Sequence, residues 1–317
     1  MTPPVEPARP VADLVTQLAP LCGGRVRPGE PLAAHTTYRI GGPADLFAIA
    51  RSRDELVALI QAARTLGLPW RVLGRGSNLL VSDRGVRGLV VKNLSEEIVF
   101  QLDQDPPTVV VDSGVSCARL AAQAAQHGLA GLEFAIAIPG TIGGAVVQNA
   151  GAHGSEIKDL LEAVTILTPA GEIQTLPADA LALGYRTSRF QRELALILSA
   201  RLRLRRESPV VIGERLRRIR LRRAETQPRE PSCGSVFKNP PGDYAGRLIE
   251  RAGLKGLRCG QAQVSLRHAN FIVNLGGATA SEVRRLIRQV QETVARQFGV
   301  DLETEVEIIG EWAEEEG

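Results

Sequence analysis

The longest apolar stretch of the chain, residues 128–147, contains Glu133, Pro139 and five glycines. No uninterrupted membrane-spanning helix fits it, since a carboxylate in hydrocarbon is costly and proline breaks the helical hydrogen-bond ladder. What it can build is a glycine-rich loop held between buried elements. The stretch ends in Pro139-Gly140-Thr141-Ile142-Gly143-Gly144-Ala145, and Asn149-Ala150-Gly151-Ala152 follows. Glycine three and four residues after another glycine leaves room for the backbone to approach a ligand, although glycines packed against a strand would read the same way.

A second glycine-rich turn, Gly74-Arg75-Gly76-Ser77-Asn78, directly follows the strand signal Trp70–Leu73. Backbone N–H groups in such a turn can face an anion, and Ser77 and Asn78 add side-chain donors, a combination suited to a pyrophosphate. Leu79 stands where a Rossmann fingerprint needs its third glycine, and no Gly-Lys-Ser/Thr follows as in a P-loop. Either turn alone reads equally well as a tight turn. Two of them in separate β-α units are better explained by one long dinucleotide spanning both.

At about 150 residues per domain, 317 residues allow two or three domains. With 44% hydrophobic and 23% charged residues, neither a disordered chain nor a coiled coil fits. Residues 1–10 are proline-rich and read as a disordered tail, and residues 313–317 as an acidic one. Between them the first unit, 11–92, shows an apolar run at Leu46–Ala50, a helix opened by Ser52 and ended by Gly67, and strands at Trp70–Leu73, Leu79–Val81 and Leu89–Val91. The second, 93–212, has a strand at Thr108–Val111, a helix capped by Ser116, and strands at Ala163–Leu167 and Leu194–Leu204. The third, 213–312, has helices over Tyr244–Ala252 and Ser281–Phe298, with strands at Ala262–Val264, Phe271–Val273 and Val306–Ile309. This order predicts an α+β fold.

Net charge is +3, and nearly all positive charge is arginine, with lysine only at Lys92, Lys158, Lys238 and Lys255. The dense basic run Arg201–Arg223 could bind nucleic acid. No aromatic residue interleaves for base stacking, so an arginine-lined strand edge and a solvated helix explain it better, and no nucleic-acid partner is expected. Four cysteines and four histidines are scattered without metal-ligand spacing or a CxxC pair, which signals neither a metal site nor a disulfide framework. Glu6 and four prolines before Val11 do not resemble a secretory signal, and a cytoplasmic protein without a membrane partner is expected.

The segment Cys233-Gly234-Ser235-Val236-Phe237-Lys238-Asn239-Pro240 places a hydroxyl, a cation and an amide within five residues. Ser235 lacks a GxSxG elbow, which disfavours a hydrolase nucleophile and leaves a proton donor or phosphate ligand. Together with TTYRIGGPAD (36–45), GRGSNLLVSD (74–83), PGTIGGAVVQNAGAHG (139–154), YRTSRF (185–190), HANFIVN (268–274) and EVEIIG (305–310), this segment resembles the UDP-N-acetylenolpyruvoylglucosamine reductase family across nearly the whole chain.

The resemblance implies a two-part FAD-binding fold of the vanillyl-alcohol-oxidase (PCMH) type, followed by a smaller α+β substrate domain. FAD would be bound and NADPH would be the co-substrate, and the small-molecule partner would be UDP-N-acetylglucosamine-enolpyruvate; the oligomeric state is left open. By motif, Gly74, Arg75, Gly76, Ser77, Asn78, Gly114, Pro139, Gly140, Thr141, Gly143, Gly144, Asn149, Ala150 and Gly151 would hold FAD. Arg186 and Glu305 would stabilise an enol intermediate, Ser235 would protonate it at C2, and Lys238 and Asn239 would face the substrate.

Those residue types suit the chemistry, because a guanidinium binds a carboxylate bidentately as negative charge builds on it. Without the resemblance, a surface ion pair for Arg186, a turn hydroxyl for Ser235 and a strand-edge charge for Glu305 would be preferred. Three positions depart from the family pattern: His35 for asparagine, Gln148 for methionine and His153 for tyrosine. The interval from Arg189 to Ser235 is too short for the substrate-covering loop of one branch, so the shorter branch is expected, with no tyrosine clamp. The rivals are a flavin alcohol oxidase or dehydrogenase, against which GSVFKNP and EVEIIG argue, and a non-catalytic nucleotide binder.

Overall fold

The computed structural model describes residues 10–313, so the two expected tails lie outside it except for Pro10 and Ala313. The chain opens with helix α1 (Val11–Leu18) and strand β1 (Val26–Pro31), then β2 (Pro43–Ala50), α2 (Arg53–Thr65), β3 (Trp70–Leu73), β4 (Leu79–Val81) and β5 (Val86–Asn93). A sheet of order β1-β2-β5-β3 results, in which β2 and β3 run parallel to the central β5. Helix α2 starts where Ser52 accepts the Glu55 N–H at 3.2 Å, and it buries Leu56, Leu59, Ile60 and Ala63 at helical spacing. Leu46 and Ala48 face this helix while Phe47 and Val90 pack on the opposite face, which is why β2 reads as a continuous apolar run.

The second sheet is antiparallel throughout. It comprises β6 (Ile98–Gln101), β7 (Thr108–Asp112), β8 (Leu161–Leu167), β9 (Ile173–Pro177) and β10 (Leu196–Arg203), in the order β9-β8-β10-β7-β6. Helices α3 (Cys117–Gln126) and α4 (Ile142–Val147) cover one side. The basic run divides into β10, whose Leu202 is fully buried, and α5 (Pro209–Thr226). Helix α5 straddles the boundary expected at residue 212, and its buried Ile212 and Leu216 belong to the second core, so by packing it is part of the second unit.

The third unit holds α6 (Ala245–Arg251), β11 (Ala262–Val264), β12 (Ile272–Asn274), α7 (Ala280–Phe298) and β13 (Glu307–Ile309). A capping box between Thr279 and Glu282 starts α7, and Gly299 in the left-handed region at φ 66° ends it. Its buried residues Val283, Leu286, Ile287, Val290 and Val294 contribute about 1.5–3 kcal/mol each if fully removed from water. The last strand does not stay in this unit: β13 pairs in parallel with β4 of the first. Asp83 adds a further tie, accepting the N–H groups of Ala280 and Ser281 at 2.8 and 2.9 Å. No helix among the described residues is long and apolar enough to cross a membrane, and no cluster of three or more metal-ligating side chains is found among them.

Candidate functional site: a glycine-lined crevice and an arginine–glutamate cavity

The Gly74–Asn78 turn leaves the carboxyl end of β3, the edge at which parallel sheets offer ligands a crevice. Among the described residues, none of the backbone N–H groups of Gly74 through Asn78 donates to a protein acceptor. Gly76 has a φ of 61°, and a Cβ there would lie 2.5 Å from the His35 carbonyl oxygen. The second loop closes on the first, since a Cβ on Gly74 would meet Thr141 Oγ1 at 2.5 Å and one on Gly140 would lie 3.4 Å from Ser77 Oγ. Five unengaged donors beside two side-chain hydroxyls form a concavity suited to an anion.

Other residues assigned to the cofactor shape the loop rather than reach out of it. Asn149 is fully buried, and its amide bonds Glu156 at 2.7 Å, the Gly184 carbonyl at 2.9 Å and the Lys158 N–H at 2.9 Å. The Gly143 N–H donates to Ser113 O, Ala150 N–H to Ala145 O, and Gly114 N–H to Ser95 Oγ. A Cβ on Gly143 would press Ser113 Cβ at 2.9 Å, and one on Gly114 the Ser95 oxygen at 2.5 Å. Gly144 differs: its Cβ would meet nothing nearer than Thr141 Oγ1 at 3.8 Å. Pro139 is exposed at the loop's start.

A cavity of about 580 Å³ opens between the second and third units, and Arg186, Ser235, Asn239 and Glu305 all line it. Arg186 Nε lies 2.8 Å from Glu305 Oε1, with both side chains about one-fifth exposed. Its N–H is not aligned on that oxygen, so the contact is one of charge more than a directed hydrogen bond. The guanidinium is fixed from the other side, where Nη2 donates to the Gly151 carbonyl at 2.8 Å. Arg186 also holds a φ of 54°, a strained conformation for a residue with a side chain. Burial raises the Glu305 carboxyl above its ordinary range, opposed by Arg186 and Lys238.

The backbone of Glu305 is held twice, its N–H donating to Val236 O at 2.8 Å and its carbonyl accepting from Asn78 Nδ2 at 3.0 Å. Asn78 thus joins the first crevice to the cavity. Lys238 turns its ammonium to Glu303 instead of lining the cavity. Asn239 Oδ1 accepts the Ala245 N–H at 3.1 Å and so starts α6. Cys233, two residues before Ser235, is buried, which pushes its thiol up to about 12 and leaves it a packing group rather than a nucleophile. His35 stacks on Phe47 with ring centres 4.2 Å apart and bonds Glu30 through Nε2 at 2.9 Å.

Reading the sequence missed part of the cavity wall. Tyr185 and Tyr244, two of the chain's three tyrosines, stand exposed at it, and His268, Arg247, Arg251 and Arg267 line it further. Signals were available in the rarity of tyrosine and in the places of Tyr185 and His268 at the heads of YRTSRF and HANFIVN.

The description "UDP-N-acetylenolpyruvoylglucosamine reductase, C-terminal domain" matches residues 227–309, and "FAD binding domain" matches residues 44–177. A UDP-N-acetylenolpyruvoylglucosamine reductase of Halalkalibacterium halodurans is 45% identical over 299 residues, 94% of this chain and 99% of that one. The protein called UDP-N-acetylenolpyruvoylglucosamine reductase 2 in Symbiobacterium thermophilum is 49% identical over 90% of this chain and 93% of its own. The crystal structure of the reductase from Thermus caldophilus superposes with a TM-score of 0.76 at 39% identity, covering 90% of this chain and 98% of the other. The fold is accordingly the expected two-part flavin fold with a smaller α+β domain after it, and the free N–H groups and the open space at Gly144 fit FAD.

Proposed function

Because the chain belongs to the UDP-N-acetylenolpyruvoylglucosamine reductase family of FAD-dependent oxidoreductases, we propose that it reduces UDP-N-acetylglucosamine-enolpyruvate to UDP-N-acetylmuramate with electrons from NADPH. The reaction would serve peptidoglycan precursor synthesis in the cytoplasm. The observation that carries this reading is the meeting of Arg186, Ser235 and Glu305, far apart in sequence, at one cavity. Gly74–Asn78 and the 139–151 loop would hold FAD, which would supply the hydride chemistry, from NADPH to C3 of the enolpyruvyl group.

The remaining work falls to the chain's own side chains. Hydride addition to an unsaturated carboxylate moves negative charge onto the carboxylate oxygens, and Arg186, already held by Gly151 on one side, binds them. Glu305 lies against the same guanidinium and keeps it oriented, its raised proton affinity favouring a shared proton at the developing enol. Ser235 Oγ gives its proton to C2. A serine is a weak acid, but the recipient carbon is strongly basic. Asn239, which lines the cavity, helps to hold the substrate, whereas Lys238, expected to face it, is turned to Glu303. The FAD-holding part ends at α5, and the substrate unit begins at residue 227, the first residue of the matched C-terminal domain.

The direct test mixes purified flavin-loaded protein, NADPH and UDP-N-acetylglucosamine-enolpyruvate and follows the loss of reduced nicotinamide. Turnover that depends on the enolpyruvyl substrate is expected. A yellow, FAD-bound protein that oxidises no NADPH in its presence would overturn the reading.

A further inference from the structure

Lys92 is the penultimate residue of β5, and in the sheet register it lies beside Leu73, the residue that leads into the Gly74–Asn78 turn. Its Nζ is 3.5 Å from the His35 carbonyl, the same oxygen against which Gly76 packs so closely that no Cβ fits. Lys92 therefore stands under the turn whose N–H groups have no protein acceptor. The groups around it offer no counter-charge. Among the described residues no carboxylate forms an ion pair with Lys92 or Arg75, and Glu30, which reaches this side of the sheet, is engaged by His35 Nε2 at 2.9 Å and Arg27 at 3.4 Å.

A half-buried ammonium beside a second cation, both without a carboxylate, is an unfavourable arrangement in the empty protein. It becomes favourable if a multiply charged anion lies between them. We propose that Lys92 is a direct ligand of the FAD pyrophosphate, its ammonium adding charge to the backbone donors of the Gly74–Asn78 turn. The inference rests on the reading that this turn holds the pyrophosphate. Burial, and next the Arg75 charge, lower the Lys92 pKa to about 8, as expected of a cation held in place ahead of its partner. Nothing in the sequence motifs marked this residue, which directly follows the apolar run Leu89–Val91.

The test uses protein stripped of flavin, titrated with FAD and with riboflavin, which lacks the pyrophosphate. Lys92→Gln should weaken FAD binding by about 10-fold or more, the range for a charge-assisted hydrogen bond, and leave riboflavin binding unchanged. Lys92→Arg should restore most of the FAD affinity. The flavin-free Lys92→Gln protein should melt at the same temperature as the wild type or higher, because it no longer buries an unpaired charge. A residue that only supports the fold predicts the reverse, with melting temperature and both affinities falling together, and that result would overturn the proposal. So would an undiminished preference for FAD over riboflavin in Lys92→Gln. If the wild type itself binds riboflavin as tightly as FAD, the reading of the turn fails and the proposal with it.

Discussion

Asn78 donates from Nδ2 to the backbone carbonyl of Glu305 at 3.0 Å, across 227 residues of sequence. Its backbone carbonyl accepts the Glu307 N–H at 3.0 Å, so the Gly74–Asn78 turn and the segment that carries the cavity carboxylate into β13 are fastened by one residue. The β4–β13 ladder continues the same junction. The Glu305 backbone is thereby held at a fixed distance from the turn, the kind of positioning that orientation of reacting groups requires.

The glycine loop gives a paired prediction. Gly143→Val forces a Cβ against Ser113 at 2.9 Å and should yield little folded protein. Gly144→Val meets only Thr141 Oγ1 at 3.8 Å and should fold with a near-normal melting temperature, yet lose FAD because its branched side chain fills the crevice. Absorbance of the bound flavin and thermal melting of both variants check this. A fully yellow Gly144→Val protein would place the flavin elsewhere.

Arg186→Lys keeps the charge and the strained backbone at φ 54° but loses the planar pair of donors. Turnover should fall by about 10²-fold or more while FAD stays bound. Steady-state rates on flavin-loaded protein measure it, and near-normal turnover would show that Arg186 is not the carboxylate partner.

Glu305 yields a pH-dependent prediction. Its folded carboxyl binds a proton more tightly than the unfolded one, because burial outweighs Arg186 and Lys238. The ionised carboxylate therefore costs stability once pH rises above the unfolded value of about 4.3, and the cost is absent below it. Glu305→Gln, which mimics the protonated form, should gain in melting temperature relative to the wild type as pH increases from about 4 to 7, while losing activity. Parallel melting curves at every pH would contradict the assigned shift.

The elements legible in the sequence were those with local signals. Ser52 and Ser116 do cap helices, each helix beginning one residue later, and Trp70–Leu73 is a strand with the bounds expected. The strands that escaped, β1, β6 and β9, lie at sheet edges and owe their form to pairing: β1 carries Pro28, Gly29 and Pro31, none of the four residues of β6 is fully buried, and four of the five residues of β9 are exposed. Helix α4 is six residues long with two glycines, so it reads as loop. At the site, motif resemblance pointed to Arg186, Ser235 and Glu305, whose individual signals favoured ordinary surface roles. Periodicity could not show that Asn78 and Asn149 use their side chains inside the protein, because those partners come from distant segments.

The central claim is that Ser235 protonates C2 after hydride has been delivered, and the two half-reactions separate this from every other role. In Ser235→Ala, stopped-flow absorbance should show FAD reduced by NADPH at nearly the wild-type rate, since that step takes no proton from Ser235. Reoxidation by UDP-N-acetylglucosamine-enolpyruvate should slow by about 10²-fold or more, the range for removing a positioned general acid. Impaired flavin reduction with untouched reoxidation would contradict the account, and would move the proton donor to Glu305.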